Sequence, residues 1–227
     1  MKNVFFSLTW ILAAALLCLG TWLAFFHAPV EVKMGFVQKI FYFHVPVAWV
    51  FFLAVTLNAG ASIAYLVTKK DGADRAARGA AELAVVFGIM VLVTGPLWGW
   101  KAWGRPWVWD VRLTSSLLLW LVLVAYLVVR AYGGSGARNL SAGLAIFAVL
   151  QVPLIYYSVD LWRGTHPPRL VSKGGLDSEM ATALFVCTFA FLFVFALLYA
   201  VRLAVGRQEG RLDELHLHIE DLEEIHG

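Results

Sequence analysis

Six stretches of this chain carry no Asp, Glu, Lys or Arg: residues 3–26, 40–68, 83–100, 113–129, 139–159 and 180–201. A helix needs about 20 apolar residues to cross the hydrocarbon core of a bilayer, and each stretch is close to or above that length. In lipid the backbone must satisfy its own hydrogen bonds, so only helices and closed barrels can span. Barrel strands alternate apolar and polar residues, whereas these stretches are continuously apolar. The expected fold is an all-α integral membrane protein with six transmembrane helices.

Composition agrees. Of the 227 residues 61% are apolar and 15% charged, with a mean hydropathy of +0.76. A soluble domain carries about a quarter charged residues, so a soluble enzyme is excluded. A disordered chain is excluded because it lacks this much apolar surface. The two Cys, Cys18 and Cys187, lie singly within the first and last stretches and cannot build a disulfide scaffold. Each is expected to act as a small buried hydrophobe. The first stretch follows Lys2 as a signal peptide would, but it is too long and lacks a small-x-small cleavage site, so it reads as an uncleaved helix.

Six spans put both termini on one side and the connectors 27–39, 101–112 and 160–179 on the other. Ten of the 18 Lys and Arg fall with the termini and eight with these connectors. The positive-inside rule then places both termini in the cytoplasm, with the cluster at 69–78 as the strongest vote. Eight basic residues on the outer side fit ordinary loop solvation or a surface that receives an anion. The membrane domain is expected over 1–203, followed by an acidic cytoplasmic tail over 204–227. In that tail Leu212, Leu215, Ile219 and Leu222 form an amphipathic stripe.

Two histidines stand out. His216, His218 and His226 lie in the solvated tail and His27 at a helix end. His44 lies just inside the second stretch, in Lys39-Ile40-Phe41-Tyr42-Phe43-His44-Val45-Pro46. An ionisable residue inside a span marks a candidate functional site. His166 lies in the fifth connector, and parity puts both on the outer face. Singly, each would pass as an interfacial hydrogen-bonding residue. Between them in sequence, and on the same face, runs Trp98-Gly99-Trp100-Lys101-Ala102-Trp103-Gly104-Arg105-Pro106-Trp107-Val108-Trp109-Asp110, which holds five of the ten Trp. An aromatic belt scatters one or two Trp per helix end. This density instead suits stacking on a large planar ligand. Two imidazoles beside an indole platform suggest haem, whose carboxylates would need cations from among Lys101, Arg105, Arg112, Arg163 and Arg169.

The Trp-rich connector resembles a known family. Trp103-Gly104, then Trp107-Val108-Trp109-Asp110-Val111-Arg112-Leu113-Thr114-Ser115, is similar to the tryptophan-rich "WWD" signature of haem-handling membrane proteins of c-type cytochrome biogenesis. Phe43-His44-Val45-Pro46 and the segment from Pro153 through Tyr156, Asp160 and Trp162 to His166 resemble the two ligand-histidine segments of its haem exporter protein C (CcmC) branch. Pro106 departs from the signature, standing where a Trp is usual. The resemblance implies that haem b is held at the periplasmic face of the plasma (inner) membrane. His44 and His166 would be its axial ligands, and Trp98, Trp103, Trp107, Trp109 and Asp110 would form the haem platform and the chaperone contact, with Arg112, from its charge, added to the cofactor-binding residues. It also implies delivery of that haem to the chaperone CcmE, alongside the ABC-type CcmA/CcmB complex and the small subunit CcmD. The chain would then be a delivery component and not an enzyme, with the lipid bilayer as its setting and no nucleic acid as partner. Two other readings stay open: a haem b subunit of a respiratory complex, and a small-solute permease. The first would want His at both ends of the spans, and the second polar groups at mid-membrane, where the sequence offers little beyond Asn58 and Gln151.

Overall fold

The computed structural model describes residues 2–162, 164–167, 171 and 174–226, with side chains left out at 2–6, 213, 217 and 221–226. Its six long helices are α1 (Lys2–Trp22, prolonged by a π turn, Leu23–His27), α2 (Phe41–Thr68, entered through a 3-10 turn, Phe36–Ile40), α3 (Asp71–Trp103), α4 (Val111–Tyr132), α5 (Ala137–Leu161) and α6 (Ser178–His226). All six are long and apolar enough to cross a membrane. No β-strand occurs among the described residues.

Helix α2 is central. It forms a tight hairpin with α3 and also packs on α5 and α6, while α4 lies against α5 and α3, and α1 runs along α6. The hairpin turns at Lys69, whose left-handed backbone (φ 55°) ends α2 as its N–H bonds the Tyr65 carbonyl. The main core joins Val47, Val50, Phe51 and Val55 of α2 to Leu83 and Phe87 of α3, Leu119 and Leu123 of α4, Ile155 of α5 and Phe195 of α6. Lipid tails are as apolar as these side chains, so close approach through small residues does much of the joining. At the α1–α6 crossing, a Cβ on Gly20 would lie 2.9 Å from the Cys187 Sγ. At the α3–α4 crossing, Trp120 lies so close over Gly88 that a Cβ there would come within 2.6 Å of its ring.

The end of the bundle that holds the termini is laced with ion pairs. Arg130 meets Asp74 at 2.6 Å with both side chains nearly buried, Arg138 meets Asp71 at 2.6 Å, and Glu82 pairs with both Arg78 and Arg202. Much of the basic charge on that side is therefore neutralised within the fold. On the opposite side Lys39 is fully buried and donates to the Ala28 and Pro29 carbonyls, pinning the first connector to the start of α2. It belongs to the framework and is not a free cation for an anionic ligand.

One boundary differs from the sequence reading. Helix α3 passes Lys101 and ends only at Gly104, in a left-handed conformation (φ 72°). Trp98, Trp100 and Trp103 therefore stand on its last turns, and only 104–110 is loop. A lysine limits a membrane run, but its long stem lets the helix continue beyond the lipid. Helix α6 runs without interruption through 203–204. Its 49 residues extend about 74 Å at 1.5 Å each, more than twice a hydrocarbon core of about 30 Å.

Candidate functional site

The side opposite the termini contains a cavity of about 190 Å³ between the ends of α2, α3, α4 and α5. His44 and His166 both line it, with Trp49, Trp98, Trp103, Trp107 and Arg112. The rest of its wall is almost entirely apolar, including Phe52 and Val91. Two histidines more than 100 residues apart in sequence thus share one chamber.

His44 stands in the first turn of α2, two residues before Pro46, which lies inside the helix and leaves the Tyr42 carbonyl without its usual N–H partner. Its ring faces α3 at the sequence Thr94-Gly95-Pro96. The Nδ1 lies 2.7 Å from the Thr94 hydroxyl, and a Cβ on Gly95 would sit 3.3 Å from its Cε1. Pro96 lies within α3 and cannot bond the carbonyl one turn back.

His166 is on the connector after α5, and two contacts hold that connector. Asp110 caps α4, its Oδ1 accepting from the Leu113 N–H at 2.8 Å. Its Oδ2 accepts from the Thr165 hydroxyl at 3.3 Å, and Gly164 passes so close that a Cβ would lie 3.2 Å from the same oxygen. One carboxylate therefore starts α4 and tethers the residue before His166. The imidazole then rests against Trp98 and Trp103, each with its ring centre 6.5 Å away, and those two indoles meet edge to face at 5.0 Å. Gly99 makes room for this pair, since a Cβ would come 3.1 Å from the Trp103 ring. The His166 Nδ1 lies 3.0 Å from the Pro167 carbonyl. Burial and then the nearby Arg112 guanidinium hold its pKa down at about 3, against the weaker opposing pull of that carbonyl. Its imidazole is therefore neutral at ordinary pH.

The other expected residues divide. Trp107 lines the chamber, and its indole N–H is buried with no partner among the described residues. Trp109 does not line it. It is 77% exposed and stands at 5.7 Å from Trp107. With Asp110, Trp162 and Gly164 it borders a second cavity of about 390 Å³. Arg112 and His166 line both cavities, so they form the wall between them. Arg163 and Arg169 lie outside the described residues. Sequence reasoning missed Trp49, which lines the chamber, and Thr94, which bonds His44, since only the register of α2 against α3 brings them to the site.

The chamber suits a particular ligand. Among the described residues no cluster of three or more His, Cys, Asp or Glu could hold a bare metal ion. Two imidazoles complete the coordination of an iron that already carries four nitrogens in a plane. The orphaned Trp107 N–H and the Arg112 guanidinium both suit an anionic group at the edge of that plane.

Residues 1–216 match the protein family described as heme exporter protein C. The heme exporter protein C of Bradyrhizobium diazoefficiens is 35% identical over 209 residues, covering 89% of this chain and 78% of that protein. The heme exporter protein C of Escherichia coli K12 is 32% identical over 196 residues, covering 85% and 80%. A Marchantia polymorpha protein named as a putative cytochrome c biosynthesis ccmC-like mitochondrial protein is 29% identical over 194 residues, covering 85% and 82%.

Proposed function

The chain belongs to the heme exporter protein C family, and from that premise we propose that it binds one haem b in the chamber and passes it on as cargo. His44 and His166 are the axial ligands. Trp98, Trp103 and Trp107 flank the porphyrin, and Arg112 meets a propionate. The observation that carries this reading is the pairing of His44 and His166 in one apolar chamber beside Trp98 and Trp103.

The same reading assigns the chamber to the periplasmic side of the inner membrane and the tail over 204–227 to the cytoplasm. Delivery to CcmE takes place on the outer face, with CcmA, CcmB and CcmD as companions. The chain acts as a delivery component without a catalytic residue of its own. Imidazole ligation suits this work because a coordinate bond can be exchanged. His166 stands on a connector and not in a helix, so it can yield the iron without unpacking a span. Trp109, exposed beside the second cavity, is the surface offered to the chaperone.

The test is a transfer experiment. Haem-loaded protein is mixed with purified CcmE and the haem in each is followed with time. Haem is expected to move to the chaperone, and Trp109→Ala is expected to slow the transfer while leaving the bound haem intact. Haem that stays in place whatever the chaperone concentration would contradict delivery.

A further inference from the structure

The hydrogen bonds around the two histidines fix which nitrogen of each ring carries the proton. A threonine hydroxyl has one hydrogen. That of Thr94 is spent on the Met90 carbonyl one turn back, at 2.6 Å. Toward His44, at 2.7 Å, its oxygen can therefore only accept. The His44 Nδ1 must carry the proton, and the lone pair lies on Nε2. The same holds for His166 by another route. Its Nδ1 faces the Pro167 carbonyl, which has no proton to give, so its lone pair also lies on Nε2.

We propose that Thr94 is the positioning residue for His44, holding the imidazole in the Nδ1–H tautomer so that Nε2 is the nitrogen presented to iron. The inference rests on the haem reading above and deepens it. Two neighbouring residues of α3 share the work. Thr94 supplies the acceptor, and Gly95 lets the ring edge approach to a distance that a side chain would crowd. Back-bonding of the hydroxyl to Met90 is what makes the device selective: a water or a freely turning hydroxyl could serve either tautomer, whereas this oxygen serves one. Acceptors on the far nitrogen of a ligating histidine fix its orientation and raise its basicity, and their loss usually costs 10–100-fold in metal affinity. The two ligands are thus held differently, His44 across a helix–helix contact and His166 by its own chain.

Two measurements test this, one on the haem-free protein and one on the loaded protein. In haem-free protein carrying ¹⁵N-histidine, long-range ¹H–¹⁵N correlations report the tautomer of each ring, with His44→Gln identifying the His44 signals. Wild type and Thr94→Ser are expected to show His44 protonated on Nδ1. Thr94→Val, which keeps the shape and removes the oxygen, is expected to show a tautomer mixture with the other histidine signals unmoved. In haem titrations, Thr94→Val is expected to lose about 10–100-fold in affinity and to raise the haem midpoint potential, because a less basic ligand stabilises ferric iron less. Thr94→Ser is expected to restore both. A purely structural threonine would move neither the tautomer nor the potential. His44 protonated on Nε2 in wild type would overturn the proposal, as would Thr94→Val with unchanged tautomer and potential. Wild-type protein with the expected tautomer but no affinity for haem would overturn the haem reading and leave the tautomer assignment standing.

Discussion

Replacing Asp110 separates two tasks that one side chain performs. Its Oδ1 caps α4 at Leu113, and its Oδ2 holds Thr165, the neighbour of His166. Loss of an N-cap costs about 1 kcal/mol. The Thr165 bond, at 3.3 Å and exposed, contributes about 0.5–1 kcal/mol, equivalent to roughly a 2- to 5-fold change in an equilibrium that needs His166 in place. Asp110→Ala removes both contacts. It should lower stability by about 1 kcal/mol and weaken haem binding about 2- to 5-fold. Asp110→Ser keeps a cap but has no second oxygen to reach Thr165, so stability should return while haem binding stays weak. Thr165→Val should leave stability alone and weaken haem binding to the same degree. Thermal unfolding in detergent reads the first quantity and haem titration the second. If Asp110→Ser and Thr165→Val both bind haem as wild type does, the tether does not position His166. If Asp110→Ala unfolds at the wild-type temperature, the cap carries no weight.

Three further outcomes follow from the same contacts. Gly20→Val should push α1 off α6, because even its first carbon meets Cys187 at 2.9 Å; overpacking costs about 1–3 kcal/mol, visible as a lower unfolding temperature that Cys187→Ala partly restores. Trp107→Phe should weaken haem binding yet stabilise the haem-free protein by up to about 1 kcal/mol, since it removes a buried donor without a partner; equal haem affinity would show that this N–H does not face the ligand. The pH dependence of the haem-free protein has a definite sign. His166 has a pKa of about 3 in the fold against an ordinary 6.5, so the unfolded chain takes up the proton first as pH falls. The stability tied to neutral His166 is complete above about 6.5 and drains away toward 3. His166→Gln should flatten that part of a stability-against-pH curve, and an unchanged slope would refute the assignment.

The six helices were legible in the sequence because lipid imposes one simple demand: a long apolar run with its backbone closed on itself. Helix ends were less legible, since charge marks the edge of the membrane and not the end of the helix. Lys101 hid the last turn of α3 for this reason. At the site, His44, His166, Trp98, Trp103 and Trp107 could be gathered from composition, parity and resemblance, and they do meet in one chamber. Asp110 was legible as a member but not in its two tasks, which depend on where the connector after α5 comes to rest. Lys39 counted as an outward cation until its burial against two carbonyls was visible. Thr94 had no signature, because a threonine in an apolar helix gains meaning only from the ring that α2 sets beside it.

The proposed function requires His44 and His166 to grip one haem. The most direct measurement is the absorption spectrum and haem-to-protein ratio of the purified protein, prepared without its chaperone from haem-replete cells. Wild type should carry one b-type haem per chain with a six-coordinate spectrum. His44→Ala and His166→Ala should each lose that haem or shift it to a five-coordinate form. Full occupancy with the wild-type spectrum in both variants would contradict the account.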